Sequence, residues 1–245
     1  NLPLDTIEAL AWGSNLDWGF NKHPPMSAFF SEIFFQIFGP QDWAYYLLSQ
    51  MFVLIAFYYV FKFANEILEN SKLGLLSVFL LVSVYFYNFT TPEFNVNVCQ
   101  LPFWSLVVYF SWKIYSSKEI KFLDCFLVGL FGALGFLSKY LFVYLLVSIF
   151  LLFIYLIFFQ KKKKFDFKYL ITIEVFLILL VPHFIWLYHN DFITILYGIK
   201  RTSLEDPNIL NHIQYPIIFL IKQIGTLVPF FFLIWLLIKK IKFKF

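Results

Sequence analysis

Apolar runs of about 20 residues recur along this 245-residue chain and limit its fold more than any other feature. A helix needs about 20 apolar residues to cross a bilayer, and only helices and closed barrels satisfy their backbone groups in lipid. Barrel strands would alternate in polarity over about ten residues, whereas these runs are apolar on all sides. Charged residues make up only 14% of the chain. We therefore predict an all-α fold, a polytopic transmembrane helical bundle.

The beginning of the chain differs in character from the rest. Residues 1–40 are rich in polar side chains, and the segment 25–38 is too short to span a bilayer. This segment carries Glu32 and Gln36 on one side, as an amphipathic interfacial helix does. We predict an external loop of juxtamembrane helices over 1–40 and a transmembrane bundle over 41–245. The predicted spans are 43–61, 73–91, 97–115, 122–138, 140–159, 169–188 and 215–238.

The lysines lie mainly in every second loop between these spans, which predicts the orientation of the bundle. Lysine-rich loops stay in the cytoplasm, so the face that carries the opening segment is predicted to be external. Most carboxylates fall on that external face, whereas a channel or transporter would more often carry such groups near mid-membrane. The lysine-rich side comprises Lys62, Lys72, Lys113, Lys118, Lys121, Lys161, Lys162, Lys163, Lys164, Lys168, Lys239, Lys240, Lys242 and Lys244.

Two carboxylates near the start of the chain are candidate catalytic groups. Asp5 and Glu8 are three residues apart, which resembles a capping box that would only stabilise the start of a helix. Alternatively, Asp5 projects into an external cavity and acts as a general base. The residue pattern leaves both interpretations open.

Cationic residues on the predicted external face are candidate phosphate ligands. Lys22 and His23 either snorkel at the interface or hold a phosphate. Lysine binds phosphate as a point charge, and histidine can donate a further hydrogen bond. Lys139 lies on the same outer side, unlike most lysines of the chain, and is a candidate second contact.

A short outer loop contributes three more polar side chains. Glu93, Asn95 and Asn97 share one side if this segment is extended. They are either site residues or helix caps, and the capping interpretation predicts Asn97 as the N-cap of the next span.

Other conspicuous residues have structural interpretations. Glycines recur every third residue from Gly129 to Gly135, a spacing that predicts close helix packing in membranes. His183, His189 and Asp191 match no zinc spacing, and we expect a solvated helix end there.

Four sequence blocks carry a resemblance to a known family. L-D-x-x-E-x-x-x-W, from Leu4 to Trp12, leads into L-D-W-G-F-N-K-H-P-P; the others are T-P-E-F-N-V-N with L-P-F-W, G-A-L-G-F-L-S-K-Y and P-H-F-I-W-L-Y-H-N-D-F. The chain resembles glycosyltransferase family 39, the protein O-mannosyltransferase-like enzymes of the GT-C superfamily. This family includes the aminoarabinose transferase that modifies lipid A. The resemblance implies a GT-C helical bundle with an external first loop. The family's first span is missing here, so we expect a fragment.

The resemblance also implies roles for the carboxylates. It makes Asp5 the catalytic aspartate. Glu8 departs from the common pattern, in which the second acidic residue directly follows the aspartate, where this chain has Thr6. A further aspartate of many family members falls on either Glu93 or Asn97, and that choice stays open.

The donor's lipid phosphate has its own implied contacts. The family's His-Pro-Pro element falls on His23, with Lys22 adjacent. Lys139 and Tyr140 match a Ser-Lys-Tyr element suited to the same phosphate.

The implied function is an inverting transferase with a polyprenyl-phosphate-linked sugar as donor and a lipid, glycan or protein as acceptor. It places the enzyme in the bacterial inner membrane, among membrane lipids, with its active site on the external or periplasmic face. It implies no nucleic acid and no certain cofactor, and it leaves a divalent metal open. The alternative is a transporter or flippase of a lipid-linked sugar precursor, which would use the same cations but need no base.

Overall fold

The computed structural model describes residues 1–202 and 210–238, and all regular elements in these ranges are helices. This confirms the predicted all-α bundle. Lys239, Lys240, Lys242 and Lys244 lie outside the described residues. The α-helices are α1 (Leu4–Gly13), α2 (Met26–Phe38), α3 (Asp42–Leu68), α4 (Ser71–Val82), α5 (Val96–Ser116), α6 (Phe122–Ser138), α7 (Val143–Ile154), α8 (Lys168–His189), α9 (Ile193–Thr202) and α10 (Asn211–Ile238).

Each of the seven predicted spans overlaps a helical segment, but 73–91, 97–115 and 122–138 fall in helices that are not among the four candidate membrane spans. Within the described residues, four helical stretches are long and apolar enough to cross a membrane, and α2, α4 and α6 are shorter apolar helices. The four stretches are Asp42–Leu68, Tyr140–Phe159, Lys168–His189 and Asn211–Leu237.

The predicted span 73–91 is not one continuous α-helix. The helix α4 ends at Val82, and a π-helical turn follows at Phe86–Thr90. The hydroxyl of Ser83 donates to the Leu80 carbonyl at 2.6 Å. Serine side chains that bond the backbone in this way compete with continuing helix, which accounts for the break.

The helix α5 lies at the centre of the bundle. It packs against α3 and α6, and α6 in turn packs against α8. Its buried side chains, among them Val98, Phe103 and Val107, form the core together with Phe52 of α3. The start of α5 is therefore fixed in position, and so is the loop that carries Glu93.

The glycines of α6 allow the close packing predicted from their spacing. A Cβ atom at Gly129 would lie 2.6 Å from the Thr172 carbonyl oxygen of α8. At Gly135 it would lie 2.4 Å from the ring of the fully buried Phe142. This contact fixes the turn between α6 and α7, where Lys139 is located.

A buried imidazole anchors the loop between α1 and α2. His183 of α8 is fully buried, and its Nδ1 lies at hydrogen-bonding distance from the Trp18 carbonyl oxygen. Because a carbonyl only accepts, Nδ1 donates, and Nε2 then accepts from the Tyr140 hydroxyl at 2.8 Å. The expectation of a solvated helix end is wrong for His183, although His189, one turn and a half further on, is exposed.

Polar contacts lie at the two ends of the bundle. At one end, Thr6 donates to the Phe94 carbonyl at 3.1 Å, which joins α1 to the start of α5. At the other end, Lys113 pairs with Glu66 at 3.4 Å. The candidate site residues thus gather at the end opposite the lysine-rich loops.

Substitution of Gly135 by alanine is expected to lower the melting temperature in detergent by several degrees. Overpacking against the Phe142 ring costs about 1–3 kcal/mol, more than the roughly 1 kcal/mol that alanine gains over glycine within a helix. The control is Gly225→Ala in α10, where an added Cβ meets nothing within 4 Å. Equal melting temperatures for the two variants would contradict the packing role.

Substitution of His183 by phenylalanine is expected to loosen the loop over residues 14–25. The Trp18 carbonyl would lose its partner, at about 1–3 kcal/mol for a buried group, and the Tyr140 hydroxyl would keep only its hydrogen bond with Thr194. Hydrogen–deuterium exchange should then accelerate within the loop. His189→Phe, at an exposed position of the same helix, is the matched control and should exchange as the wild type does.

Candidate active site

The carboxylates of α1 face a small cleft. Asp5 and Glu8 lie one turn apart and line this cleft together with Trp12. The helix begins at Leu4, its N-cap is Pro3, and no side chain caps it. The capping-box interpretation of the two carboxylates is therefore wrong.

The Asp5 side chain carries no hydrogen bond or ion pair to any residue within 1–202 and 210–238, and it is exposed. Its backbone N–H donates to Glu93 Oε1 at 3.3 Å. Glu93, in the loop before α5, therefore holds the start of α1 through the backbone of Asp5. The carboxylate of Asp5 takes no part in this contact and is left available to accept a proton.

The second carboxylate of α1 is paired. Glu8 Oε1 accepts a hydrogen bond from Lys22 Nζ at 2.5 Å. The hydrogen bond and the negative charge of Glu8 raise the pKa of Lys22. Glu8, which lines the cleft, thus holds the ammonium group of Lys22, a residue of the loop between α1 and α2.

His23 lines the cleft from the α1–α2 loop, with its ring edge-on to Trp12 at 6.0 Å between centroids. Burial lowers the pKa of His23 below its ordinary value of 6.5, and the positive charge of Lys139 lowers it further. At neutral pH the imidazole is therefore uncharged. It can donate or accept a hydrogen bond, but it adds no positive charge to the site.

Of the polar side chains in and after the outer loop before α5, one caps the helix and two contact other site residues. Asn95 is the N-cap, since its Oδ1 accepts from the N–H groups of Asn97 and Val98 at 2.9 and 3.2 Å. The prediction of Asn97 as the cap is wrong by two residues. Asn97 lies within the helix and its Oδ1 accepts from Lys139 Nζ. Glu93 is thus adjacent to Asp5, and Asn97 is adjacent to Lys139.

Lys139 follows the last residue of α6 and is only half-exposed. Burial lowers its pKa, and so does the positive charge of Arg201. The next residue, Tyr140, is engaged by His183. Its hydroxyl therefore supports the fold of the site and is not free in this structure.

Sequence reasoning missed the helix α9. Thr194 is buried and donates to the Phe20 carbonyl, and Arg201 Nη1 lies 3.4 Å from the Tyr197 hydroxyl. The spacing of residues 194, 197 and 201 places them on one face of the helix. Arg201 lies close enough to His23 and Lys139 for its positive charge to lower the pKa of both. The pattern was visible in the sequence, but nothing in it indicated that this face meets the α1–α2 loop.

An apolar groove of about 520 Å³ lies between α3, α5 and the π-helical turn. Its walls include Phe57, Tyr87 and Trp104, and its lining also contains the polar side chains of Asn97 and Gln100. Because Asn97 forms a hydrogen bond with Lys139, an apolar cavity lies next to a cationic group.

Within the described residues, no three His, Cys, Asp or Glu side chains are grouped so that they could hold a metal ion.

Comparison with known proteins identifies the family. The sequence profile of dolichyl-phosphate-mannose-protein mannosyltransferases matches residues 22–186, more than half of the chain. Searches among curated proteins and among solved structures gave no match. The matched range includes His23, Glu93, Asn97 and Lys139, whereas Asp5 precedes it. The chain therefore belongs to the dolichyl-phosphate-mannose-protein mannosyltransferase family, and it is an integral membrane glycosyltransferase that uses a polyprenyl-phosphate-linked sugar donor.

Proposed function

We propose that the protein transfers a sugar, with inversion, from its lipid-linked donor to a hydroxyl group on the external face of the bacterial inner membrane. The observation that carries this proposal is the carboxylate of Asp5, which has no partner among the described residues, at a cleft whose lining residues Glu8 and His23 have the cations Lys22 and Lys139 as neighbours. Lys22 and Lys139 lie on the same end of the bundle, with Arg201 close by. The lysine-rich loops at the opposite end support an external location.

The reaction is a single displacement. The acceptor oxygen attacks the anomeric carbon of the sugar as its proton passes to the Asp5 carboxylate. The bond between the anomeric carbon and the phosphate oxygen breaks, and its electron pair stays on the phosphate. One attack from the opposite side inverts the anomeric configuration. Lys139 and Arg201 offset the negative charge that appears on the leaving phosphate.

The remaining site residues have supporting roles in this proposal. Glu8 holds the Lys22 ammonium where a phosphate oxygen can become its second partner. Glu93 accepts a hydrogen bond from the backbone of Asp5 and fixes the start of α1. We therefore assign the family's further acidic position to Glu93 rather than to Asn97. Asn97 orients Lys139 through its amide oxygen. A neutral His23 contributes a hydrogen bond and no charge.

The apolar groove beside Asn97 suits the prenyl chain of the donor. Its volume of about 520 Å³ falls within the range of roughly 300–1,000 Å³ that is usual for ligand pockets. A prenyl chain in the groove would leave its phosphate near Lys139, because Asn97 both lines the groove and bonds that lysine. The acceptor would approach from the side of the exposed Asp5.

Removal of the proposed base tests the reaction. Asp5→Asn is expected to lower sugar transfer by about 10²–10⁴-fold, the usual contribution of a general base, and to leave donor binding intact. Transfer is measured as loss of polyprenyl-phosphate mannose and appearance of polyprenyl phosphate. Asp17→Asn, at an exposed loop position, is the control. A variant Asp5→Asn that consumes the donor at the wild-type rate would contradict the role of Asp5 as the base. A wild type that moves the donor across the membrane without consuming it would favour the flippase alternative.

Removal of the cations tests the donor phosphate site. Lys139→Gln and Arg201→Gln are each expected to raise the KM for the donor about 10- to 100-fold, since a hydrogen bond to a charged group contributes about 1.5–3 kcal/mol. Lys200→Gln removes the same charge one residue away, about 100° around the helix, and should leave the donor KM within about twofold of the wild type. If Lys200→Gln raised the donor KM as much as Arg201→Gln does, the effect would reflect the net charge of the surface, and a direct contact of Arg201 with the donor phosphate would be contradicted.

A further inference from the structure

Ser27 is a buried residue in the wall of the cleft, and its hydroxyl has no partner among the described residues. It is 1% exposed, and its Oγ makes no hydrogen bond within the described residues. It lines the same cleft as Asp5, His23 and Asn95. Buried hydroxyl groups are normally paired, because an unpaired one loses its bonds to water without replacement. Of the buried hydroxyl groups without a partner in the described residues, that of Ser27 lines the cleft, so a group from outside the chain can become its partner.

The start of α2 adds to the donor character of this position. Ser27 is the second residue of the helix, and the N-cap residue, Pro25, provides no side-chain cap. The first N–H groups of a helix are left without intrahelical partners, and a helix N-terminus carries a partial positive charge. An oxygen that gains negative charge in the cleft would be favoured there.

The size of the cleft limits its occupant. Its volume of about 10 Å³ is close to the minimum for one water molecule. A sugar ring or a phosphate group cannot enter, whereas a single hydroxyl group can. The exposed Asp5 and the buried Ser27 both line this cleft, so a single oxygen inside it has both residues as neighbours.

We propose that this cleft binds the nucleophilic hydroxyl group of the acceptor. The Ser27 hydroxyl donates a hydrogen bond to the acceptor oxygen, and the Asp5 carboxylate accepts the proton of that oxygen. Ser27 is thus a substrate-binding residue that aims one lone pair of the acceptor at the anomeric carbon. This assignment rests on the proposed transfer reaction and adds the position at which the acceptor hydroxyl binds and the residue that holds it.

A second serine on the same helix provides a matched control. Ser31, one turn further along α2, is also fully buried and also unpaired, but it does not line the cleft. Replacement by alanine therefore removes a buried hydroxyl group without a partner at both positions. Only at Ser27 should it affect the acceptor.

Methanol serves as the probe, because its hydroxyl group carries the smallest possible substituent. The full chain is incubated with polyprenyl-phosphate mannose and methanol, and methyl mannoside is measured by mass spectrometry. Ser27→Ala is expected to lower kcat/KM for methanol about tenfold and to leave the donor KM within about twofold of the wild type. Ser31→Ala should match the wild type in both. The conservative variant Ser27→Thr, which keeps the hydroxyl, should retain more activity than Ser27→Ala.

The outcomes separate the two proposals. If the wild type forms methyl mannoside and Ser27→Ala forms it as fast as Ser31→Ala does, the cleft assignment fails and the transferase function stands. If Ser27→Ala raises the donor KM to the same extent as it affects methanol, the serine is a structural residue and the assignment also fails. A wild type that binds the donor but transfers mannose to no alcohol would overturn both proposals.

Discussion

His183 binds two distant parts of the chain from inside the bundle. Its imidazole is fully buried between the Trp18 carbonyl and the Tyr140 hydroxyl, so both ring nitrogens are paired. The Trp18 partner lies 165 residues away in sequence. Through this one side chain, α8 holds the α1–α2 loop against the turn between α6 and α7. The position of His23 relative to Lys139 depends on that contact.

Charge is arranged asymmetrically around the cleft that this contact supports. Glu8 is neutralised by Lys22, while Asp5 has no cation of its own among the described residues. Within residues 1–202 and 210–238, Lys139 has an amide partner but no carboxylate partner, and burial together with the charge of Arg201 lowers its pKa. An unpaired carboxylate and an incompletely neutralised cation thus lie at the same end of the bundle, with His23, which lines the cleft, close enough to Lys139 to feel its charge. This separation suits a reaction in which a proton leaves on one side and negative charge appears on a phosphate on the other.

The sequence allowed the helices to be predicted, because an apolar run of about 20 residues leaves the backbone few alternatives in lipid. It did not allow the contacts between helices to be predicted. Asn95 rather than Asn97 caps α5. Because the Asn97 side chain does not cap the helix, it is able to accept a hydrogen bond from Lys139. His183 was expected in solvent because the local pattern contains no sign of the loop that covers it. Ser27 drew no attention, since its environment is created by residues from α1 and α5.

A structure of the protein with polyprenyl-phosphate mannose bound would test the central claim most directly. The account predicts the phosphate within hydrogen-bonding distance of Lys139 Nζ, the anomeric carbon facing the cleft of Asp5, and the prenyl chain in the groove between α3 and α5. A phosphate bound at the lysine-rich end of the bundle, or a sugar directed away from Asp5, would contradict it.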